Sequence, residues 1–235
     1  RVHGGAAAIS GRRADEPGFL AKSGLQTGQK AAIAATAAAL VQPGDSVALS
    51  AGTTTHAVAT ALRGIPRLTV LTNSLPVAEV LHVGARPDLT VVLTGGVRTP
   101  SDALVGPVAV ATLRTMHVDW LFLGVHGFHE TAGLTTPNMV EAETNRALIE
   151  GARRVVVTVD SSKWGEVALC TIAALDDVAI LVTDDGLDAE AQRIVGAKVG
   201  RLLIAQPAAD PGRTNSTPAA PDPLAHNPSE RSVDP

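Results

Sequence analysis

With 235 residues, of which 45% are hydrophobic and 18% charged, the chain has material for one α/β core with appendages, and disorder along its whole length is excluded. Aromatics are only 2%, with Phe19, Phe122, Phe128, Trp120 and Trp164 as the entire set, and the net charge is -4, so neither stacked aromatic platforms nor a general basic surface is available for nucleic acid. A single cysteine, Cys170, excludes an intramolecular disulfide and a multi-cysteine zinc site; no apolar run nears the roughly 18 residues that span a bilayer, and no signal sequence opens the chain, so a cytoplasmic protein without membrane contact is expected.

In chain order, residues 1–28 contain Gly and Arg with little periodicity and read as a linker and lead-in. Gln29 to Val41 is predicted as a helix with Ile33, Ala37, Leu40 and Val41 on one face, stopped by Pro43-Gly44-Asp45. A strand at Ser46 to Ser50 follows, then a helix from about Thr55 to Gly64, a strand at Leu68 to Thr72, a helix at Leu75 to Val83 and a strand at Leu89 to Thr94. Next come a helix near Val108 to Thr115, a strand at Trp120 to Gly124, a helix at Met139 to Gly151 and strands at Arg154 to Val159 and Ala179 to Thr183. A helix at Ala189 to Val195 and a strand at Arg201 to Ile204 close the domain, taken as residues 29–206. Residues 207–235 hold 7 of the 15 prolines, at 207, 211, 218, 221, 223, 228 and 235, and read as a disordered tail.

Alternating β-branched runs and Ala-rich helical segments are the signature of βαβ units, which predicts a parallel sheet with flanking helices. Right-handed crossovers bring the C-terminal ends of such strands to one edge, where ligands bind. The loops at that edge carry the chemistry. Ser50-Ala51-Gly52-Thr53-Thr54-Thr55 joins a strand to a helix; glycine permits close approach, threonines supply hydroxyls and the helix N-terminus offers unpaired N–H groups, a combination that suits phosphate. Thr54 or Thr55 capping the helix is the competing reading. Thr72-Asn73-Ser74 and Thr94-Gly95-Gly96-Val97-Arg98 end the next two strands, with simple caps or turns as their competing readings.

Further along, Gly133 to Asn138 precedes a helix with Glu141 and Glu143 in its first turn, and Asp160-Ser161-Ser162-Lys163 follows a strand. Lys163 suits a phosphate and Glu141 a sugar hydroxyl; taken singly, a surface lysine paired with Asp160 and a glutamate favoured by the helix dipole are the plainer accounts. His126, His129 and Glu130 have metal-compatible spacing but lie in a predicted loop, and Cys170, within the apolar run Ala168 to Ala174, reads as a small hydrophobe rather than a nucleophile; no metal or cofactor is expected. No Gly-x-Ser-x-Gly elbow, Walker A loop or GxGxxG fingerprint occurs.

Taken in order, these segments resemble the C-terminal effector-sensing domain of DeoR-type transcriptional regulators. The resemblance rests on Arg1-Val2-His3-Gly4-Gly5-Ala6, Ala51-Gly52-Thr53-Thr54, Thr72-Asn73-Ser74, Gly95-Gly96, Gly133-Leu134-Thr135-Thr136-Pro137-Asn138, Glu141-Ala142 and Asp160-Ser161-Ser162-Lys163, and runs from Arg1 to about Ile204. It implies an α/β fold with a Rossmann-like parallel sheet and flanking helices, related to the ribose-5-phosphate isomerase/NagB/CoA transferase-like fold, a phosphorylated sugar or sugar metabolite as effector, a homo-oligomer, and operator DNA contacted only through an N-terminal winged helix-turn-helix preceding Arg1. Carried onto matching positions, it puts the phosphate on Gly52, Thr53, Thr54, Thr55 and Lys163. The sugar would lie against Ser50, Thr72, Asn73, Ser74, Gly95, Gly96 and Glu141. Ser50 departs from the family, which commonly has aspartate there.

The alternative is a sugar-phosphate isomerase with Glu141 as base. Such chemistry needs a carboxylate near the carbon acid and polar groups for the enediolate. In the isomerases an acidic run follows the strand that here ends at Gly124. This chain has Val125-His126-Gly127-Phe128-His129 there, which favours binding over turnover, and the resemblance implies that the regulator is a repressor.

Overall fold

A computed structural model describes residues 18–19, 23–84 and 86–206. The tail 207–235 and most of the lead-in 1–28 lie outside the described residues.

The central strands of the large sheet, such as Trp120–Leu123 and Val155–Thr158, are short runs buried on both faces, as parallel sheets require. In chain order the elements begin with helix α1 (Thr27–Ala38), β1 (Ser46–Leu49), α2 (Thr53–Leu62), β2 (Thr69–Thr72), α3 (Leu75–His82) and β3 (Thr90–Leu93). Then come the short strands β4 (Val97–Arg98) and β5 (Leu104–Val105), α4 (Pro107–Leu113), β6 (Trp120–Leu123), β7 (Gly127–His129), β8 (Gly133–Thr136) and α5 (Met139–Glu150). The chain continues through β9 (Val155–Thr158), a 3₁₀ turn (Ser161–Lys163), β10 (Cys170–Ala173), a second 3₁₀ turn (Leu175–Asp177), β11 (Ile180–Asp184), α6 (Ala189–Lys198) and β12 (Leu202–Ala205).

Seven strands form the expected parallel sheet, ordered β12-β11-β9-β6-β1-β2-β3. From β1 the chain adds β2 and β3 on one side, then crosses back to add β6, β9, β11 and β12 on the other. The turnover lies between β1 and β6, whose outgoing connections diverge and leave a crevice at the strand ends. Alternate side chains feed two cores. Val47, Leu49, Phe122 and Val156 meet α1, α2 and α3 through Ile33, Val58, Leu62, Val77 and Leu81. Ala48, Leu121, Leu123 and Val157 meet α4, α5 and α6 through Val110, Leu113, Leu148 and Val195.

Two small antiparallel sheets, β4-β5 and β10-β8-β7, were not foreseen in the sequence. Gly133 to Thr136, expected as a loop, is a fully buried strand, and half-buried Cys170 opens β10 and packs against the core. Each of these strands has only two to four residues, too few for an apolar alternation to separate strand from loop.

Candidate functional site

At the crevice beside β1 and β6 lies a cleft of about 320 Å³, within the range of small-ligand sites. Its floor is the turn Ala51-Gly52-Thr53-Thr54 entering α2. Gly52 adopts φ 150°, outside the comfortable range of other residues, and as N-cap provides no side chain to satisfy the helix N–H groups. Thr55 does not cap either: its Oγ1 donates to the Gly52 carbonyl at 2.9 Å. The competing reading of this loop as a threonine-capped terminus therefore does not hold, and the first N–H groups of α2 stay available at the floor. By contrast, Ser74 Oγ accepts from Val77 N in α3, and Asn138 Oδ1 accepts from Val140 and Glu141 N in α5.

The residues expected at the site divide into a lining set and a supporting set. Gly52, Thr53, Thr54, Asn73, Glu141 and Lys163 line the cleft. Ser50, Thr55, Thr72, Ser74, Gly95 and Gly96 do not; the structure puts them behind it or away from it. Ser50 Oγ accepts from Gly124 N at 2.9 Å, fastening the ends of β1 and β6 together. Thr72 Oγ1 donates to the Leu49 carbonyl at 2.7 Å and accepts from Ser74 N. Asn73, 2% exposed, ties three segments: its Oδ1 accepts from Ala51 N at 3.0 Å, and its Nδ2 donates to the Leu104 carbonyl at 3.1 Å. Gly95 and Gly96 leave the cleft because β3 is the outermost strand, two strand spacings or about 10 Å from β1. There Gly96 (φ 120°) lets the chain pass β5 so closely that a Cβ would sit 2.6 Å from the Val105 carbonyl oxygen.

The β4-β5 hairpin then returns a different residue to the cleft. Ser101 Oγ donates to Glu141 Oε1 at 2.7 Å, with Thr99 Oγ1 at 3.4 Å from the same oxygen and Thr136 Oγ1 at 3.3 Å from Oε2. Across the cleft, Lys163 rides on the 3₁₀ turn after β9. That turn is clamped by buried Asp184, whose oxygens accept from Ser161 N (2.7 Å) and Ser161 Oγ (2.8 Å). Lys163 is in no ion pair among the described residues; Asp160, the partner the plainer reading assigned it, accepts from Ser162 Oγ instead.

Lys30 was missed by the sequence reading. It lines the cleft from α1 and is only 7% exposed. The signal was present, because Lys30 stands three residues before Ile33 on the helix face that is otherwise apolar. Ser101 and Asp160 were also unassigned. His126 and His129 part company: His126 lines the cleft, whereas His129 Nδ1 accepts from Thr131 N and Ala132 N in the β7-β8 turn and its ring stacks on Trp164. Among the described residues no group of three or more His, Cys, Asp or Glu is placed to hold a metal ion, and no helix is long and apolar enough to cross a membrane.

Fold and cleft define a class: a doubly wound α/β domain with a cleft at its switch point that is lined by two lysines, Lys30 and Lys163. Residues 25–185 match the family of the DeoR C terminal sensor domain, and the chain belongs to that family, whose members are sensor domains of transcriptional regulators. It is 36% identical over 197 residues to the uncharacterized HTH-type transcriptional regulator YgbI of Escherichia coli K12, covering 83% of this chain and 76% of the relative. It is 35% identical over 176 residues to a putative aga operon transcriptional repressor of Escherichia coli O157:H7 (74% and 65% covered). With the transcriptional repressor AccR of Agrobacterium fabrum it shares 36% over 188 residues (79% and 72% covered). Among solved structures, ribose 5-phosphate isomerase A from Methanocaldococcus jannaschii superposes with a TM-score of 0.43 at 20% identity, over 57% of this chain and 53% of that enzyme. eIF2B delta from Chaetomium thermophilum gives 0.44 at 19%, over 62% and 52%. The chain thus spans about half the length of either solved chain.

Proposed function

We propose that the cleft binds a phosphorylated sugar or sugar metabolite as effector, and that the domain senses it for a repressor without turning it over. The observation that carries this reading is the uncapped, glycine-started N-terminus of α2 opening onto the same cleft as Lys163 and Lys30. Backbone N–H groups, threonine hydroxyls and two ammonium groups suit a phosphate dianion. Glu141 and Asp160 supply acceptors for sugar hydroxyls, and Asn73 fixes the walls between them. The names of two relatives as repressors support the regulatory role. An N-terminal winged helix-turn-helix would contact operator DNA, and a homo-oligomer would transmit occupancy with a coupling of about 1 to 3 kcal/mol. Glu141 already accepts from three hydroxyls, and no further acidic run follows β6, which supports binding over isomerisation.

Thermal-shift screening against a panel of sugar phosphates tests the reading. A ligand at about 100 times its Kd should raise the melting temperature by roughly 5 to 10 °C. Thr53→Ala and Lys163→Ala should remove most of that rise. A panel without any shift, or shifts indifferent to both variants, would refute the site. Sustained conversion of ribose 5-phosphate to ribulose 5-phosphate that disappears in Glu141→Gln would refute the absence of turnover.

A further inference from the structure

The chain entering the domain is itself a wall of the cleft: Phe19, Leu25, Gln26 and Lys30 all line it. Phe19 stands edge-on to His56 of α2, with ring centroids 5.4 Å apart. Just before α1, Gln26 is held in the left-handed region (φ 52°, ψ 39°), a strained conformation for a residue with a side chain, and its side chain makes no capping hydrogen bond. Lys30 Nζ reaches back to the Leu25 carbonyl at 2.5 Å, closing this turn. Leu25 is 62% exposed, so burial of its own side chain does little to hold the turn in place. An ammonium carries three N–H donors, so one that lines a cleft can hold an anion and the Leu25 carbonyl together.

We infer that Lys30 links cleft occupancy to the segment leading into the domain: a bound anion fixes the ammonium, the ammonium fixes the Leu25 carbonyl, and the turn at residues 23–28 becomes ordered with the ligand. This rests on the anion reading of the cleft given above. Leu25 is also the first residue of the match to the sensor family, so the turn stands at the sensor's boundary, where any N-terminal neighbour would be joined. Occupancy would then reach that neighbour through one side chain, without a rearrangement of the sheet.

Amide hydrogen exchange on the 235-residue chain tests this, with the amides of residues 53–56 reporting occupancy and those of 23–30 reporting the turn. The probe is inorganic phosphate, compared with sodium chloride at equal ionic strength. Phosphate is expected to slow both regions, the turn by about fivefold, which is what one net hydrogen bond of ordinary strength yields. Without phosphate, Lys30→Met is expected to speed exchange in the turn by a similar factor, and Lys30→Arg to restore most of it. Slowing at 53–56 with an unchanged turn would overturn the inference and leave the anion site standing. No slowing in either region would overturn both. Should Lys30→Met fail to fold, the unmodified chain with phosphate decides alone.

Discussion

Replacing Asn73 removes a side chain that ties the β1 loop, the β2 loop and the β4-β5 hairpin together. Asn73→Ala deletes an acceptor for Ala51 N at 3.0 Å and a donor to the Leu104 carbonyl at 3.1 Å, in a site that is 2% exposed. Each lost bond is worth about 1 kcal/mol net, and stranding a buried partner adds to it, so the variant should lose about 2 to 4 kcal/mol. For a domain of this size that is a fall of roughly 5 to 15 °C in melting temperature, and a large share of a total stability near 5 to 15 kcal/mol. Urea denaturation followed by circular dichroism measures the loss directly, provided the m-value is unchanged. Asn73→Asp is the sharper variant. It keeps the acceptor for Ala51 N but points a carboxylate at the Leu104 carbonyl, which raises its folded pKa. The variant is therefore spared at low pH, where the protonated acid can donate, and is penalised as pH rises through that pKa. A loss below about 0.5 kcal/mol in Asn73→Ala would show that the loops are not held through this side chain.

Gly96→Ala should cost about 2 to 4 kcal/mol, because a Cβ would stand 2.6 Å from the Val105 carbonyl oxygen at φ 120°; denaturation of this variant checks it. Burial holds the half-buried His56 imidazole below its usual range, so its charged form is favoured in the unfolded chain. Stability from this residue is full above about pH 6.5 and is lost as pH falls toward the folded value; the melting temperature should drop over that window, and less so in His56→Gln. Hydrogen bonds from Ser46 hold the Asp119 carboxyl below the usual carboxylate range: Ser46 N donates at 3.0 Å and Ser46 Oγ at 2.6 Å. Asp119→Ala should cost about 1 kcal/mol near neutrality, with the difference from the unmodified protein vanishing as pH falls through the low carboxyl value. Because Asp119 precedes β6, at the end of the sheet away from the cleft, ligand-induced shifts should survive this substitution, and their loss would contradict the placement of the site.

What could be read from the sequence follows from how each signal is encoded. The seven parallel strands are apolar runs such as Trp120–Leu123 and Val155–Thr158, and runs buried on both faces announce themselves locally. The Ala51-Gly52-Thr53-Thr54 turn was equally legible, since a glycine between a strand and a helix has a local meaning. Strand order is not local. Gly95-Gly96 belongs to the same kind of strand end as Thr72-Asn73-Ser74, but β3 lies outermost, and only the three-dimensional order separates a lining residue from a distant one. Ser101 shows the converse, being carried into the cleft by a hairpin of two-residue strands that no periodicity reveals. Lys30 was legible but unread: a cation on an apolar helical stripe is a question that a helix assignment alone does not answer.

The small sheet β10-β8-β7 bears on how a new specificity could be built. Thr135 Oγ1 accepts from Ala168 N, Phe128 bridges to Trp164, and a Cβ on Gly127 would collide with Glu166. The wall ending in Thr136 and Glu141 is thereby stitched to the stretch that follows Lys163. A loop graft that exchanged one without the other would break the stitching, so both segments must be transplanted as a pair while the parallel sheet beneath is kept. Retargeting the proposed effector cleft is consequently a problem of two coupled cassettes, with the turn at Gly52 left unchanged beneath them.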